Sequence, residues 1–454
     1  MSTDAQASNR GTRRRATLSL RLGGDDKQIV RLAVPALGAL AAEPLYVLVD
    51  TAIVGHLGVN PLAALALAGA ALAGAVSLCN FLAYGSTPRV GRLHAAGQAD
   101  EAAHVGCQAI VLATTLGVAL AIVAALTAST VLAVLGAHGQ ITHLATLYMS
   151  IAAIGLPFAL IAIAGQGYLR GVSRLRLPLV LLLAGNMLNV GLELLFVYDL
   201  HLGIAGSAWA TVIAQAVMAA GFLAAMAKGT TIASWRIDST ALRDLASTGG
   251  EIFVRTGSLF AAFLLAGAIL ARTSTSSLAA HQIAFQLWMF LALALDAFAI
   301  AAQVLVSQHL GAGQRQRARE LATRTIIWSI LVGLLFAAIM MALASQLPRI
   351  FTDNTSVLGR AHAIWPIFAL MQPVNAAVFA LDGILIGAGD TRYLMWAMLA
   401  SSVLIFAPLA VGSLLLGWGI VGVWLAILAF LIGRLITCGL RYRGDRWAVT
   451  GTVR

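Results

Sequence analysis

The chain has 454 residues, of which 60% are hydrophobic and only 10% are charged, and its mean hydropathy is +0.90. A soluble domain of this size needs far more polar surface, so the composition excludes one and indicates a protein that crosses a membrane many times. The net charge of +11 does not indicate a nucleic-acid partner, because membrane topology explains the positions of the basic residues better. The three cysteines fall in or beside apolar runs and provide neither a disulfide framework nor metal-ligand spacing.

Apolar windows of about 20 residues or more, the length that crosses a bilayer as a helix, occur twelve times along the chain. They predict an all-α polytopic membrane protein whose helices 1 to 12 span 29–54, 61–86, 105–135, 143–165, 177–198, 204–226, 250–272, 277–307, 322–347, 360–388, 393–416 and 419–440. The first window lacks a convincing small-residue cleavage site, so we expect a retained helix rather than a signal peptide.

The basic residues of the connecting segments predict the topology. The connections after helices 2, 4, 6, 8 and 10 contain Lys or Arg, whereas those after helices 1, 3, 5 and 11 contain none. When the termini and the basic helix ends are included, all Lys and Arg except Arg272, Arg349 and Arg360 fall on one side. The positive-inside rule then places both termini in the cytoplasm, as a basic tail over 1–28 and a second tail over 441–454. We expect a monomer in the cell membrane, surrounded by lipid.

An internal repeat relates the first six helices to the last six. Four short patterns recur in order at one offset of 216 residues; the pattern Leu62–Ala64, for example, recurs as Leu278–Ala280. Because the repeated unit holds an even number of helices, both copies enter the membrane from the same side and form parallel repeats. The sequence therefore predicts an N-lobe (29–226) and a C-lobe (250–440) that are joined by a cytoplasmic linker (227–249).

Two acids lie near the outer ends of the predicted membrane helices of the N-lobe. Asp50 and Glu193 fall near the outer ends of helices 1 and 5, both about 7 Å below the surface at 1.5 Å per residue. Asn186 and Asn189 share a helix face with Glu193, and Thr211 of helix 6 can reach the same depth. A carboxylate in hydrocarbon costs at least a few kcal/mol, so an acid there indicates ion or substrate handling. The alternative is that both acids extend to the outer headgroups.

Helix 1 also contains two prolines and a further acid. Pro35 and Pro44 each remove a backbone donor, which predicts that this helix is bent or can bend. Glu43 lies beside Pro44 and has two interpretations. It either hydrogen-bonds backbone groups that the proline frees or lines a cavity that handles ions or substrate.

The repeat offset shows that the two lobes differ in chemistry. Positions 50, 189, 193 and 211 correspond to apolar residues in the second half, namely Ala266, Ile405, Leu409 and Ile427. In the other direction, Asp296 of helix 8 corresponds to Asn80, and Asp382 of helix 10 corresponds to Gln166. We therefore expect the carboxylate pair in the N-lobe only.

Other polar residues predict the wall of a substrate cavity. Asp296 shares a helix face with Gln303, and Asp382 shares one with Asn375. The residues that we expect to line the cavity are Asn186, Gln166, Glu43, Asp296, Gln303, Asn375 and Asp382. For Asp382, a structural cap or an ion pair with a loop arginine is an equally good interpretation.

Charged and aromatic residues near the ends of the C-lobe helices have simpler interpretations. Glu251 and Arg255 are four residues apart at the start of helix 7, which predicts an ion pair within the helix. Trp365, Trp418 and Trp424 lie near predicted membrane ends, where tryptophan commonly anchors a helix at the lipid headgroups.

A series of short motifs in chain order, from Ile29 to Leu440, carries a family resemblance. They are Val49-Asp50-Thr51, Val54-Gly55-His56-Leu57-Gly58, Asn189-Val190-Gly191-Leu192-Glu193, Gly206-Ser207-Ala208-Trp209-Ala210-Thr211, Ala279-Ala280-His281-Gln282-Ile283, Leu381-Asp382-Gly383 and Gly387-Ala388-Gly389-Asp390. In these motifs the chain resembles the multidrug and toxic compound extrusion (MATE) transporters, in particular the DinF-like subgroup.

The resemblance implies a V-shaped pair of six-helix lobes that exports organic compounds, often cationic, in exchange for inward protons or sodium. It also implies that Asp50, Glu193, Asn189 and Thr211 form the ion-coupling site. The family usually has Asp where this chain has Glu193. The longer side chain keeps the charge but changes its reach, so coupling to protons is favoured over coupling to sodium.

A transport mechanism follows from placing two carboxylates in a site of low dielectric constant, where they cannot easily both ionise and are expected to share one proton. Protonation removes the charge that attracts a cationic substrate, so each inward proton helps to release the cargo. We predict an antiporter of small molecules that uses no cofactor, holds no firm metal site and is not an enzyme.

Three other functions are less consistent with the sequence than this antiporter. A lipid-linked precursor flippase of the same superfamily usually lines its cavity with basic residues, whereas the candidates here are acidic. A major facilitator would carry an acidic-glycine-basic loop between helices 2 and 3, which the sequence lacks. An intramembrane enzyme ranks last, because no His/Glu metal motif or Ser/Lys dyad occurs within the helices.

Overall fold

The computed structural model describes residues 24–227, 229 and 231–452, and in these residues it contains helices but no strand. Eleven helices are long and apolar enough to cross a membrane, and a bent pair makes the twelfth. In chain order, helices 1 to 12 are Gly24–Gly55, Val59–Ala95, Ala99–Val134, Gln140–Gly171, Arg176–Asp199, Gly203–Ala227, Ser239–Thr273, Thr275–Gly311, Arg315–Ala342, the pair Thr355–Leu370 and Gln372–Gly387, Thr391–Leu415, and Gly419–Arg443. The predicted all-α architecture of twelve helices is confirmed.

Several helices continue beyond the apolar windows into polar sequence. Residues 1–23 of the predicted N-terminal tail lie outside the described residues, whereas 24–28 already belong to helix 1. Helix 7 begins at Ser239, well inside the predicted linker. The Asp238 carboxylate caps this helix by accepting hydrogen bonds from the backbone N–H groups of Thr240 (2.8 Å) and Ala241 (3.3 Å). The Ala241 and Thr240 N–H groups hold the pKa of Asp238 below its usual value.

A bend and two π-helical turns are among the irregularities that interrupt the helices. Helix 10 bends by 47° between Leu370 and Gln372, just before Pro373, whereas helix 1 remains helical through both of its prolines. Short π-helical turns occur at Leu195–Asp199 and Ser401–Phe406. The first of these begins two residues after Glu193, and π-turns of this kind are frequent near functional sites.

Each lobe has its own hydrophobic core. In the C-lobe, one cluster extends from helix 7 to helix 12 and includes the fully buried rings of Phe368 and Trp424. In the N-lobe, Leu160 and Phe222 belong to one cluster, and Tyr148 belongs to a second. Since these clusters are formed almost entirely within one half of the chain, the two six-helix halves are packing units in their own right.

The lobes meet at the end of the bundle that carries the described termini and the Arg-rich connections, which we call the basic end. Helices 1 and 8 share an apolar cluster there that includes Ile29 and Ile300. Helix 2 approaches helix 8 so closely that a side chain on Gly311 would overlap the backbone of Arg92. Among the described residues, the hydrogen bonds between the lobes lie between this end and about the middle of the bundle.

Candidate functional site

The structure brings Asp50 and Glu193 together between helices 1, 5 and 6. Asp50 is 5% exposed and Glu193 is fully buried. The Glu193 carboxyl group is close enough to that of Asp50 to interact with it electrostatically. The Ser207 hydroxyl, from helix 6, donates to Oδ1 of Asp50 at 3.0 Å. Two acids that are 143 positions apart in the sequence, at 50 and 193, therefore occupy one buried site.

The two other predicted coupling residues complete the wall of this site. Asn189 donates through Nδ2 to the hydroxyl of Tyr46 at 3.1 Å and to Oγ1 of Thr211 at 3.3 Å. The hydroxyls of Tyr46 and Thr211 are themselves 3.2 Å apart and share a hydrogen bond. Tyr148, from helix 4, also interacts with Asp50 and Glu193. The four residues predicted for the coupling site thus lie in one cluster.

The acceptor oxygens of the cluster outnumber its donors. Both carboxylate oxygens of Glu193 and Oδ1 of Asn189 are buried and accept no hydrogen bond from a described residue. An unpaired buried carboxylate is strongly disfavoured, so the site is built to take up positive charge, as a proton or as a cation. In the described part of the chain no three His, Cys, Asp or Glu side chains form a group that could hold a metal ion.

The C-lobe contains no second copy of this cluster, as the repeat predicts. Ala266 and Ile427, which correspond to Asp50 and Thr211, lie within the hydrophobic core of the C-lobe. Leu409, at the position that corresponds to Glu193, is 43% exposed. The two lobes share an arrangement of six helices, but of the two described lobes only the N-lobe has this carboxylate pair.

Three residues of the cluster were missed in the sequence, and two of them had a recognisable signal. Tyr46 lies four residues before Asp50 on helix 1, and Ser207 lies four residues before Thr211 on helix 6. Residues four positions apart lie on one face of a helix, so this spacing places Tyr46 beside Asp50 and Ser207 beside Thr211. Tyr148 has no such spacing signal, because its helix contributes no other predicted residue at this depth.

The remaining N-lobe candidates lie outside the cluster. Asn186 donates to the backbone oxygen of Ala42 on helix 1 at 3.0 Å. Glu43 is exposed and forms no hydrogen bond with a described residue, so its interpretation as a partner for freed backbone groups is wrong. Gln166 accepts a hydrogen bond from Arg170 on its own helix at 3.0 Å. Their contribution to a cavity wall stays a prediction.

The acids of the C-lobe are paired with arginines. Asp382 is 5% exposed and forms ion pairs with Arg255 of helix 7 and Arg434 of helix 12. The predicted ion pair between Glu251 and Arg255 is therefore wrong, and Glu251 instead accepts a hydrogen bond from the Thr391 hydroxyl. Of the interpretations of Asp382, an ion pair is the one observed, although its partners are on helices rather than in a loop.

Asp296 and Gln303 connect the two lobes. The Tyr84 hydroxyl of helix 2 donates to Asp296 at 2.8 Å, and Gln303 donates to the backbone oxygen of Tyr84 at 3.0 Å. Arg170, also from the N-lobe, is close enough to Asp296 to interact electrostatically. Gln303 and Asn375 are buried among packed helices, so in this conformation they do not lie on an open surface.

The three tryptophans differ in their surroundings. Trp418 is 57% exposed, as an anchor at the headgroups should be. Trp365 and Trp424 are buried in the C-lobe, where each ring packs edge to face against Phe368. Trp365 also donates to the backbone oxygen of Met340 at 2.6 Å. The predicted interface role is therefore wrong for these two residues, because depth along a helix does not fix which face is buried.

Comparisons with known proteins agree with this architecture. The MatE family model matches the chain twice, over residues 35–195 and 255–411, as a doubled chain requires. The chain is 29% identical to the protein DETOXIFICATION 44, chloroplastic, of Arabidopsis thaliana over 429 residues, which cover 91% of this chain and 82% of that protein. It is 27% identical to DNA damage-inducible protein F of Escherichia coli over 436 residues, which cover 93% of each.

A solved structure described as a MATE protein in the bent conformation superposes with a TM-score of 0.86. The superposition covers 94% of this chain and 96% of that one at 20% sequence identity, so it supports the fold. The family model covers both lobes and most of the chain, including the parts of helices 1 and 5 that carry Asp50 and Glu193. The chain belongs to the MATE family of multi-pass membrane transporters.

Proposed function

We propose that this chain is a proton-driven exporter of organic cations that works by alternating access, with Asp50 and Glu193 as the coupling pair. The observation that supports this most strongly is the Glu193 carboxyl group, which is fully buried beside a second acid and has no hydrogen-bond donor among the described residues. A carboxylate in such surroundings binds a proton or a cation to reduce the energy of its burial.

The pair couples proton uptake to substrate release by competition. When the pair holds its full negative charge, it attracts a cationic substrate into the N-lobe. When the pair holds a proton, its negative charge is smaller and the cationic substrate is released. A ligand shifts a conformational equilibrium only by its difference in affinity for the two states. If the proton and the substrate favour different conformations of the transporter, they therefore drive opposite movements of the lobes.

Several features of the cluster favour the proton over sodium. Thr211 and Tyr46 bond to each other, and the Asn189 amide donates to both of them. These contacts leave few oxygens for a metal: the unpaired atoms of Glu193 and Asn189 and the second oxygen of Asp50. Sodium needs a complete shell of oxygen ligands, whereas a shared proton needs only two carboxylates.

Efflux is tested in everted vesicles, where export by the transporter appears as dye uptake into the lumen, with either a proton or a sodium gradient imposed across the membrane. We expect efflux with the proton gradient alone and its loss in Asp50→Asn and in Glu193→Gln. Asp353→Asn is the matched control, because Asp353 is an exposed acid between helices 9 and 10. Undiminished efflux by both coupling-site variants would overturn the assignment of the pair.

We propose that the transporter lies in the cytoplasmic membrane of the cell. In the proposed orientation its basic end faces the cytoplasm. The support is the distribution of Lys and Arg among the connections. Reporter fusions at residue 136 and at the C-terminus test it. We expect the C-terminal fusion to report from the cytoplasm and the other from outside, and the reverse pattern would contradict the proposed topology.

A further inference from the structure

The chain continues beyond helix 12 as a short segment, residues 444–452, that folds back onto the C-lobe. We call it the C-terminal strap. Trp447 is fully buried, stacks on Tyr442 at 5.4 Å and donates through Nε1 to the Tyr442 backbone oxygen at 2.8 Å. The Gly451 N–H donates to the backbone oxygen of Leu310, at the end of helix 8, at 3.0 Å. The strap is therefore a packed part of the structure.

Charged contacts attach the strap to a second helix of the same lobe. Asp445 forms an ion pair with Arg315 at 3.2 Å and another with Arg319, both in the first turns of helix 9. Arg315 also donates to the Asp445 backbone oxygen at 3.0 Å. Together with Trp447, these contacts fix the strap to the C-lobe at the ends of helices 8, 9 and 12.

One side chain of the N-lobe reaches into the strap. Arg92, near the end of helix 2, is 3% exposed. Its Nη1 donates to the backbone oxygens of Val449 (3.0 Å) and Gly451 (2.9 Å). Its Nη2 donates to the backbone oxygen of Ala388, after helix 10, at 2.8 Å. Three carbonyl groups of the C-lobe thus hold one guanidinium group of the N-lobe.

The surrounding backbone prevents Arg92 from leaving while the lobes stay together. Gly311 packs directly on the backbone of Arg92, and Gly91 faces the hydroxyl of Ser307. A side chain at either glycine would overlap the opposite helix. A movement of helix 2 away from helix 8, which is an opening of the basic end, therefore withdraws Arg92 from the three carbonyl groups.

We propose that the C-terminal strap is a gate element: with Ala388 it forms the receptor for Arg92, and this contact holds the basic end closed. The proposal rests on the alternating-access function proposed above. The three carbonyl groups of the receptor are neutral acceptors, and hydrogen bonds from a guanidinium group to such acceptors are stronger than bonds between two neutral groups. On opening, water replaces the carbonyl groups around the guanidinium.

Labelling of an introduced cysteine tests the strap directly. Ser307 is fully buried at the lobe contact opposite Gly91, so Ser307→Cys reacts with a membrane-impermeant maleimide only when the basic end opens. The three native cysteines, which are all buried, are first replaced by alanine. Rates are measured on full-length protein in lipid nanodiscs, without substrate or gradient. The variants are Arg92→Gln, a stop after Arg443, and the two combined.

We expect Arg92→Gln and the truncation each to increase the labelling rate about tenfold or more, because each removes hydrogen bonds to a charged group. The combined variant should be labelled no faster than the faster single variant, since both remove one contact. Arg89→Gln is the matched control. Arg89 lies one turn earlier on the same helix and also bonds across the lobes, to Asp244 at 3.1 Å, but this pair is exposed. Its rate should stay within about twofold of the parent rate.

Several outcomes would overturn the proposal. An unchanged rate in the truncated protein, with Arg92→Gln labelled fast, would show that Arg92 acts without the strap. Rates that multiply in the combined variant would show two independent contacts. If the truncated protein does not fold, Trp447→Ala replaces it, because it detaches the strap while every helix is retained. Since labelling needs no transport, a failure of proton-driven efflux would refute the proposed function and leave this test intact.

Discussion

Replacement of Ser207 by alanine should move the pH dependence of transport toward higher pH. The Ser207 hydroxyl donates to Oδ1 of Asp50 at 3.0 Å, and this bond favours the ionised carboxylate. The other ionisable groups that face Asp50 are Glu193, Tyr46 and Tyr148, and the substitution leaves all three in place. The variant therefore removes the Ser207 hydroxyl from the cluster and leaves every ionisable group in place.

The magnitude follows from the charge on the acceptor. A hydrogen bond to an ionised group contributes roughly 1.5–3 kcal/mol, and each ~1.4 kcal/mol corresponds to a tenfold change in an equilibrium constant. Without the bond, the negative charge of the pair is less stabilised, which favours its protonated form. The midpoint of the pH–efflux curve should rise by about 1–2 pH units.

The assay measures the initial rate of dye export in everted vesicles over a range of pH, with the proton gradient held constant. Ser207→Thr keeps the hydroxyl and should retain the parent midpoint. Ser401→Ala is the matched control, because Ser401 is an equally buried helical serine that bonds only the Ala397 carbonyl of its own helix, at 2.8 Å. A midpoint that stays in place, or that moves to lower pH, would refute the assignment of Ser207 as a donor to ionised Asp50.

Three further predictions concern ion choice and stability. Glu193→Asp, which shortens the acid by one methylene, should increase the response of efflux to a sodium gradient; no response in the same vesicles would show that reach does not decide the ion. Asp382→Asn leaves the buried Arg434 and the half-buried Arg255 without their acid and should lower the free energy of unfolding by about 3–5 kcal/mol, whereas Asp244→Asn, in an exposed pair, should lower it by less than about 1 kcal/mol; thermal unfolding monitored by size-exclusion chromatography compares them. Asp238→Ala removes the cap of helix 7. Because the pKa of Asp238 is held below its usual value, the cap is fully effective above about pH 4 and is lost as the pH falls through the lowered value. The variant should be less stable than the parent at pH 6, and a constant difference down to pH 3 would contradict the ionic cap.

The sequence predicted the helices and the proximity of Asp50 and Glu193 because both follow from periodic or one-dimensional rules. The thickness of the bilayer fixes the length of an apolar window, and 1.5 Å per residue fixes depth along a helix. Depth alone was enough to bring Asp50 and Glu193 to one level. Their actual contact also needs helices 1 and 5 to turn the correct faces toward each other, which the spacing of Asn189 and Glu193 indicated only for helix 5.

Contacts between distant helices could not be predicted in this way. Arg255 was assigned to Glu251 because a helix places residues four apart side by side, but its partner Asp382 is 127 residues away. The pairing was decided by packing, since a doubly paired Asp382 sits between helices 7, 10 and 12. The C-terminal strap has the same origin: residues 441–454 read as a polar tail, and only the three-dimensional structure shows Trp447 buried and Arg92 bound.

In the proposed mechanism, the carboxylate pair in the N-lobe must affect the contact between the lobes at the basic end, so a structural connection between the two is needed. Helix 1 provides one, because it carries Asp50 near its far end and Asp26 about 36 Å away along the axis at 1.5 Å per residue. Asp26 is bound by Arg324 at 3.2 Å and by the Trp328 ring nitrogen at 3.0 Å, both from helix 9 of the C-lobe. Pro35 and Pro44 lie between the two ends and are the points at which this helix bends most easily. A change of charge at Asp50 can therefore alter the shape of helix 1 while its other end stays tied to the C-lobe. In the mechanism proposed here, helix 1 is therefore the element through which protonation of the N-lobe pair would bias the opening of the proposed gate.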